Sequence, residues 1–391
     1  MIYDFSNTLN RENTASVKYD LREKMFGCPN IVPMWVADMD FPTPDFIIKR
    51  IEQRLNHPIL GYTFRDDEFN TSISNWLSKR HGWVIEKQWL SFCPGIVAGL
   101  NHAVQAFTKN RDKVLIQTPV YHPFFYAVQQ NGRRLVENQL LNNGKRYAID
   151  FKLLENQLRN GVKLFILCNP HNPVGRVWTH DELCKIAELC LKYNILVIAD
   201  EIHADIVFSP HKHIPFASLS NEVSNITLTF GSASKTFNIA GLATAYAVVS
   251  NEMNLKQYNL QLERNGTNMG NVLGYEATKG AYTLQGEEWL MQLLDYLQGN
   301  IDFVRDFITQ KLPKIKLMEP EGTYLLWLDF KAFGLNNDEL TDMLINKVGV
   351  GFNTGEVFGS NGSGFQRMNI ACPRSIIEKV LNNLTTVFSK F

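Results

Sequence analysis

Apolar residues fall into two patterns along the chain. Five short runs, Val114–Ile116, Lys163–Cys168, Ile195–Ala199, Ile226–Phe230 and Ala245–Val249, have almost no polar alternation, and each ends in a loop. Runs of this kind suit strands buried on both faces, so they predict a mostly parallel sheet covered by helices. The segments between them have helical marks. Thr43-Pro44 reads as an N-cap followed by proline at the first helical position, with Ile47, Ile48, Ile51 and Leu55 recurring on one face. Thr179-His-Asp-Glu182 has capping-box spacing and opens a helix through Leu191. Strand and helix alternate from about residue 89 to 250, which indicates an α/β layered domain.

Beyond Asn271 the pattern changes to long helical periodicity through about Lys311. A strand at Thr323–Leu328, a helix near Asp338–Lys347, a strand at Gln366–Ala371 and a closing helix from Arg374 follow. This reads as a smaller α+β domain. The expected division is a large α/β domain over 46–285 and a small one made of 1–45 and 286–391. The polar N-terminal segment is expected to pack on the small domain or across a partner.

With 391 residues the chain is long enough for two domains and a large core. Lysine plus arginine and aspartate plus glutamate both number 39, so no basic surplus points to nucleic acid. The start, Met1-Ile-Tyr-Asp-Phe, lacks a basic, apolar leader, and no run approaches the roughly 18 apolar residues of a membrane span. Cys28, Cys93, Cys168, Cys184, Cys190 and Cys372 have no CxxC spacing and read as small hydrophobes in a reducing compartment. A cytoplasmic protein is expected, without nucleic acid or membrane partners.

The chemistry concentrates at loop starts. Lys235 sits in Gly231-Ser-Ala-Ser-Lys235-Thr-Phe-Asn238, and Asp200 closes the apolar run Ile195–Ala199. Pyridoxal 5′-phosphate needs both groups: a lysine amine for its aldehyde and an anion facing its ring nitrogen. Ser232 and Ser234 flank the lysine with hydroxyls of the kind a phosphate requires; alone, such a string also suits a solvated loop. Gly95, before Ile96 and Val97, opens an apolar helix and lets bare backbone N–H groups face an anion. Asn172 lies in a loop of two Asn-Pro steps after a core strand and is placed to donate to a phenolate oxygen. His203 is either a structural histidine or a group reaching the same ligand. Tyr121 either stacks on a flat ring or packs in the core. Arg367 offers a fork suited to a substrate carboxylate, whereas Arg374 is expected on the surface at the last helix's start.

In this order the pieces resemble the fold-type I, aspartate-aminotransferase-like pyridoxal phosphate enzymes. More narrowly, they resemble the MalY/PatB group of cystathionine β-lyases and related C–S lyases. The sharper markers are Trp35-Val-Ala-Asp-Met-Asp40-Phe41, Gly61-Tyr62, Asn169-Pro-His-Asn-Pro-Val-Gly175, Asp200-Glu-Ile-His203, Ser232-Ala-Ser-Lys235 and Arg367-Met-Asn-Ile-Ala-Cys-Pro-Arg374. The likeness spans essentially the whole chain. It implies a PLP-dependent transferase-like fold with a mostly parallel seven-stranded sheet.

By the same resemblance, Lys235 carries the cofactor as a Schiff base and Asp200 pairs with the pyridinium. Asn172 and His203 lie near the phenolate oxygen, and Tyr121 stacks on the ring. Gly95, Ile96, Val97, Ser232 and Ser234 hold the phosphate. Tyr62 reaches the phosphate of a neighbouring subunit, which makes a homodimer with shared sites, and Arg367, Ala37 and Asn172 meet the substrate. Transaminases commonly have tyrosine three positions after the aspartate and a phosphate-binding arginine eight positions after the lysine; this chain has His203 and Ala243. The implied reaction is β-elimination from cystathionine, cysteine or related S-substituted cysteines. The alternatives are transamination, or a lyase that also binds a transcription factor. Tyr121, Phe124 and Trp35 are the candidate lining of the specificity pocket.

Overall fold

The unalternating apolar runs become the middle of a seven-stranded sheet in the computed structural model, which describes residues 2–389. The strands are β1 (Leu90–Cys93), β2 (Lys113–Thr118), β3 (Arg134–Gln139), β4 (Val162–Cys168), β5 (Leu196–Asp200), β6 (Thr227–Gly231) and β7 (Ala245–Val248). Their spatial order is β1-β7-β6-β5-β4-β2-β3, and only β7 runs against its neighbours. Successive residues of one strand enter different cores. Leu115, Phe165, Leu167 and Val197 pack with Leu154, Leu183 and Ile186. Val114, Ile116, Leu164 and Ile198 pack on the opposite face with Leu100, Val104, Phe124 and Tyr258. Both faces are therefore dry, and apolar residues are favoured at every position. The edge strand β3, Arg134-Leu-Val-Glu-Asn-Gln139, lacks that signal because an edge tolerates polar residues.

A four-stranded antiparallel sheet forms from β8 (Lys316–Leu317), β9 (Leu325–Asp329), β10 (Asn353–Thr354) and β11 (Phe365–Asn369), in the order β8-β9-β11-β10. Strand β9 begins later than the sequence suggests because Thr323 has a left-handed backbone, with φ of 69°. The long periodic stretch after Asn271 is two helices, Val272–Ala281 and Leu284–Lys311. They separate where the Thr283 side chain accepts the Gly286 N–H and caps the second. The predicted helix near Asp338–Lys347 starts with a capping box at Asn336 and widens into a π turn over Leu344–Val348. The capping box at Thr179 is present, and its helix spans His180–Lys192.

At Thr43-Pro44 the expected cap is displaced by one residue. Pro44, not Thr43, is the N-cap of Asp45–Leu55, because the Thr43 hydroxyl donates instead to the Asn238 carbonyl at 3.1 Å. The N-terminal segment packs on the long helix: Tyr3 N–H donates to Gln292 Oε1 at 2.9 Å, and Phe5 lies edge-on to Trp289. Further along, Arg11 pairs with Asp38 and Asp40, and the fully buried Lys18 pairs with Asp40 at 2.8 Å. These ion pairs fix the loop that carries Ala37. Among the described residues, no helix is long and apolar enough to cross a membrane.

Candidate active site

A cavity of about 510 Å³ opens where β1, β4, β5 and β6 end at their C-terminal edges, the usual ligand position of an open α/β sheet. Asp200 is the last residue of β5 and is 3% exposed. Burial pushes its carboxyl up to about 7, against the Ile202 N–H, which it accepts at 3.2 Å. No cation forms an ion pair with it among the described residues. A ligand that brings a protonated ring nitrogen would supply the missing countercharge.

Lys235 faces the same cavity from the loop after β6. Its Nζ donates to the Ala37 carbonyl at 2.6 Å. Burial pulls the amine down to about 8, so a useful fraction is neutral, and therefore nucleophilic, near neutrality. The loop is held from both sides. The Thr236 hydroxyl donates to Asp205 at 2.9 Å, and Asp205 also accepts Trp76 Nε1 and lies 3.0 Å from His81 Nε2. Asn238, left-handed at φ 57°, bonds Met39 and Phe41 through its amide. Asparagine tolerates that backbone better than most residues. Sequence alone gives no role to Asp205 or Asn238; the left-handed propensity of asparagine is the one local signal.

Gly95, at φ 129°, precedes the helix Ile96–Phe107, and no side chain caps that helix. Its first N–H groups lack intrahelical partners and lie at the cavity wall formed by Gly95, Ile96 and Val97. Ser234 faces the cavity beside Ala243. Ser232 does not line it: its hydroxyl donates to the Thr244 carbonyl at 2.8 Å and accepts the Ser234 N–H at 3.0 Å. It braces the loop from behind.

Asn172, His203 and Tyr121 complete the wall. The His203 ring is pushed down to about 3 by burial and by the cations Lys235 and Arg367, so it stays neutral, and its Nδ1 has no partner. Arg367 stands behind Asn172, donating to Asn172 Oδ1 at 3.1 Å, Asn353 Oδ1 at 2.6 Å and the Trp35 carbonyl at 2.7 Å. It is 3% exposed, lies 4.9 Å over the Phe358 ring and pairs with no carboxylate among the described residues. A buried guanidinium without an anion is a ready receptor for one.

Besides Ser232 and Arg367, three further expectations fall outside the lining of this cavity. Phe124 is sealed in the core beside Val114 and Leu100. Trp35 turns its indole N–H to the Lys18 carbonyl and its ring to Phe26. Both are engaged in packing, and neither lines this cavity. Tyr62 is 97% exposed, in a stretch with Ile59, Leu60 and Phe64 also outside the core, and it does not reach the cavity of its own chain. Arg374 is exposed at the first turn of the last helix, as expected. Taken together, the lysine, the buried acid and the uncapped helix start fit pyridoxal 5′-phosphate.

Residues 29–384 match the family described as Aminotransferase class I and II. The chain is 41% identical to "Cystathionine beta-lyase PatB" of Bacillus subtilis, over 99% of this chain and 100% of that one. It is 34% identical to "Protein MalY" of Escherichia coli, over 97% of each. Cystalysin from Treponema denticola, solved with pyridoxal 5′-phosphate, superposes with a TM-score of 0.96 at 36% identity, covering the whole of both chains. The chain belongs to the class I and II aminotransferase family, on its MalY/PatB branch.

Proposed function

We propose that this protein is a pyridoxal 5′-phosphate-dependent carbon–sulfur β-lyase acting on cystathionine and other S-substituted cysteines. One observation carries the reading: the Lys235 amine and the Asp200 carboxylate face a single cavity, with the unpaired Arg367 guanidinium behind its wall. When bound, the cofactor supplies an electron sink for charge developing at the substrate Cα. Lys235 holds the aldehyde end, and its amine, when free, takes the Cα proton. Asp200 keeps the ring nitrogen protonated. Asn172 and the neutral His203 would meet the phenolate oxygen, and Tyr121 would cover the ring. Ser234 and the N–H groups from Gly95 to Val97 would hold the phosphate, with Ser232 bracing Ser234. Arg367, with Ala37 and Asn172, receives the substrate carboxylate. The thiolate leaves Cβ, and with one water the remainder becomes pyruvate and ammonia.

His203 and Ala243, in place of the tyrosine and arginine common in transaminases, favour elimination over transfer. Incubation with cystathionine and a keto acid is expected to release homocysteine, pyruvate and ammonia. A new amino acid formed from the keto acid, without pyruvate, would sink the lyase reading.

The exposed stretch around Tyr62 supports a homodimer in which Tyr62 reaches the neighbour's phosphate. Sedimentation of the active protein is expected to return a dimer, and a fully active monomer would remove that role. We also place the domain boundary near residues 46 and 285, so that Arg367 and Lys235 approach the substrate from different domains.

A further inference from the structure

Tyr324 is fully buried, and its hydroxyl donates to the Ala37 carbonyl at 3.0 Å. The same oxygen accepts the Lys235 amine at 2.6 Å. A carbonyl oxygen has two lone pairs, so these two donors occupy it fully. The peptides on either side are gripped as well: Asn369 Nδ2 donates to the Val36 and Asp38 carbonyls, both at 2.6 Å.

The backbone that delivers Tyr324 is strained. Thr323 adopts φ of 69°, a region a β-branched residue enters only when its surroundings force it. Its N–H is tied to the Ile206 carbonyl at 2.8 Å, and Gly322 bridges to Val207. Ile206 closes the turn that contains His203, its N–H donating to the His203 carbonyl at 2.9 Å, and Val207 follows it. One forced step thus aims the Tyr324 hydroxyl at Ala37 and sets its ring edge-on to His203, with centroids 6.0 Å apart. Strain of this kind concentrates at functional positions.

We infer that Tyr324 is a positioning residue for the elimination: it fixes the direction of the Ala37 carbonyl, which receives the Lys235 amine when that amine is free of the cofactor and keeps it beside the substrate Cα. The inference rests on the lyase reading and deepens it. An amine that gives one N–H to a fixed oxygen has its lone pair left for the Cα proton. Without the hydroxyl, the oxygen keeps an open lone pair, and the amine has more than one way to sit on it.

The test compares wild-type holoenzyme with Tyr324→Phe, which keeps the ring and removes only the hydroxyl. With cystathionine, kcat is expected to fall about tenfold while KM stays within about twofold. The isotope effect with α-deuterated substrate should rise as proton removal becomes slower. A second reading uses no substrate: the pH dependence of pyridoxal 5′-phosphate uptake by enzyme stripped of its cofactor, in which the Lys235 amine is free to sit on the Ala37 carbonyl. The freed carbonyl oxygen favours a protonated nitrogen at residue 235, so the midpoint should rise by about half a unit. This titration judges Tyr324 even where the wild type cleaves nothing, an outcome that would remove the lyase reading alone. An unchanged midpoint, or a raised KM with an unchanged isotope effect, overturns the inference. So does a variant that fails to fold, because the hydroxyl would then be holding the fold rather than the amine.

Discussion

Lys235→Ala is expected to leave a folded protein that still takes up pyridoxal 5′-phosphate but releases pyruvate from cystathionine at least about 10³-fold more slowly. The substitution removes the nucleophile that tethers the aldehyde and, in the same atom, the base for the Cα proton. Burial has already drawn the amine down to about 8, so the wild-type side chain suits both tasks near neutrality. Folding should survive, because the loop is anchored through Thr236 and Asn238 rather than through the lysine. Two measurements check this. Borohydride reduction followed by mass measurement should add the cofactor to the wild type and not to the variant, and a coupled assay should follow pyruvate. Wild-type turnover in the variant would remove the assigned mechanism.

Arg367→Gln is expected to lower kcat/KM for cystathionine about 100-fold, chiefly through KM. A charge-assisted bond to a carboxylate is worth about 1.5–3 kcal/mol, and the fork makes such bonds in pairs. Arg367→Lys should not restore the activity. The guanidinium divides its prongs between Asn172 on one side and Asn353 with the Trp35 carbonyl on the other, which a point-like ammonium cannot reproduce. Stability is the discriminating control. Burial pushes the arginine down to about 10 without an acid to offset it, so losing the charge should leave the melting temperature nearly unchanged. A steep loss of stability with an unchanged KM would make Arg367 a structural residue.

The parts of the fold that sequence discloses are those whose cause is local. A strand buried on both faces favours apolar residues at nearly every position, so β4, β5 and β6 announce themselves, and so do their C-terminal ends, which carry Asp200 and lead to Asn172 and Lys235. Thr179 and Glu182 stand three residues apart and cap one helix together, which also needs no distant partner. What stays hidden depends on contacts across the chain. Asp205 finds Trp76, 129 positions away. Tyr324 finds Ala37 across 287 positions. Thr43 is a good local cap that is taken by Asn238, 195 positions on. The two serines beside Lys235 look equivalent as letters, and only the course of the Thr244 backbone separates the one that faces the cavity from the one that supports it. Edge position conceals β3 for a different reason: solvent on one side relaxes the demand for apolar residues that marks its neighbours.

The acid at the end of β5 has a consequence beyond chemistry. In the unfolded chain Asp200 ionises at an ordinary carboxylate pH, whereas in the folded, cofactor-free protein it resists ionisation up to about 7. Folding of that form is therefore progressively penalised as pH rises from about 4 to 7, and the penalty stays in place above that range. A bound pyridinium removes it. Supply of vitamin B6 would then govern how long each newly made molecule survives proteolysis as well as how fast it works, because the empty form spends more of its time open to degradation.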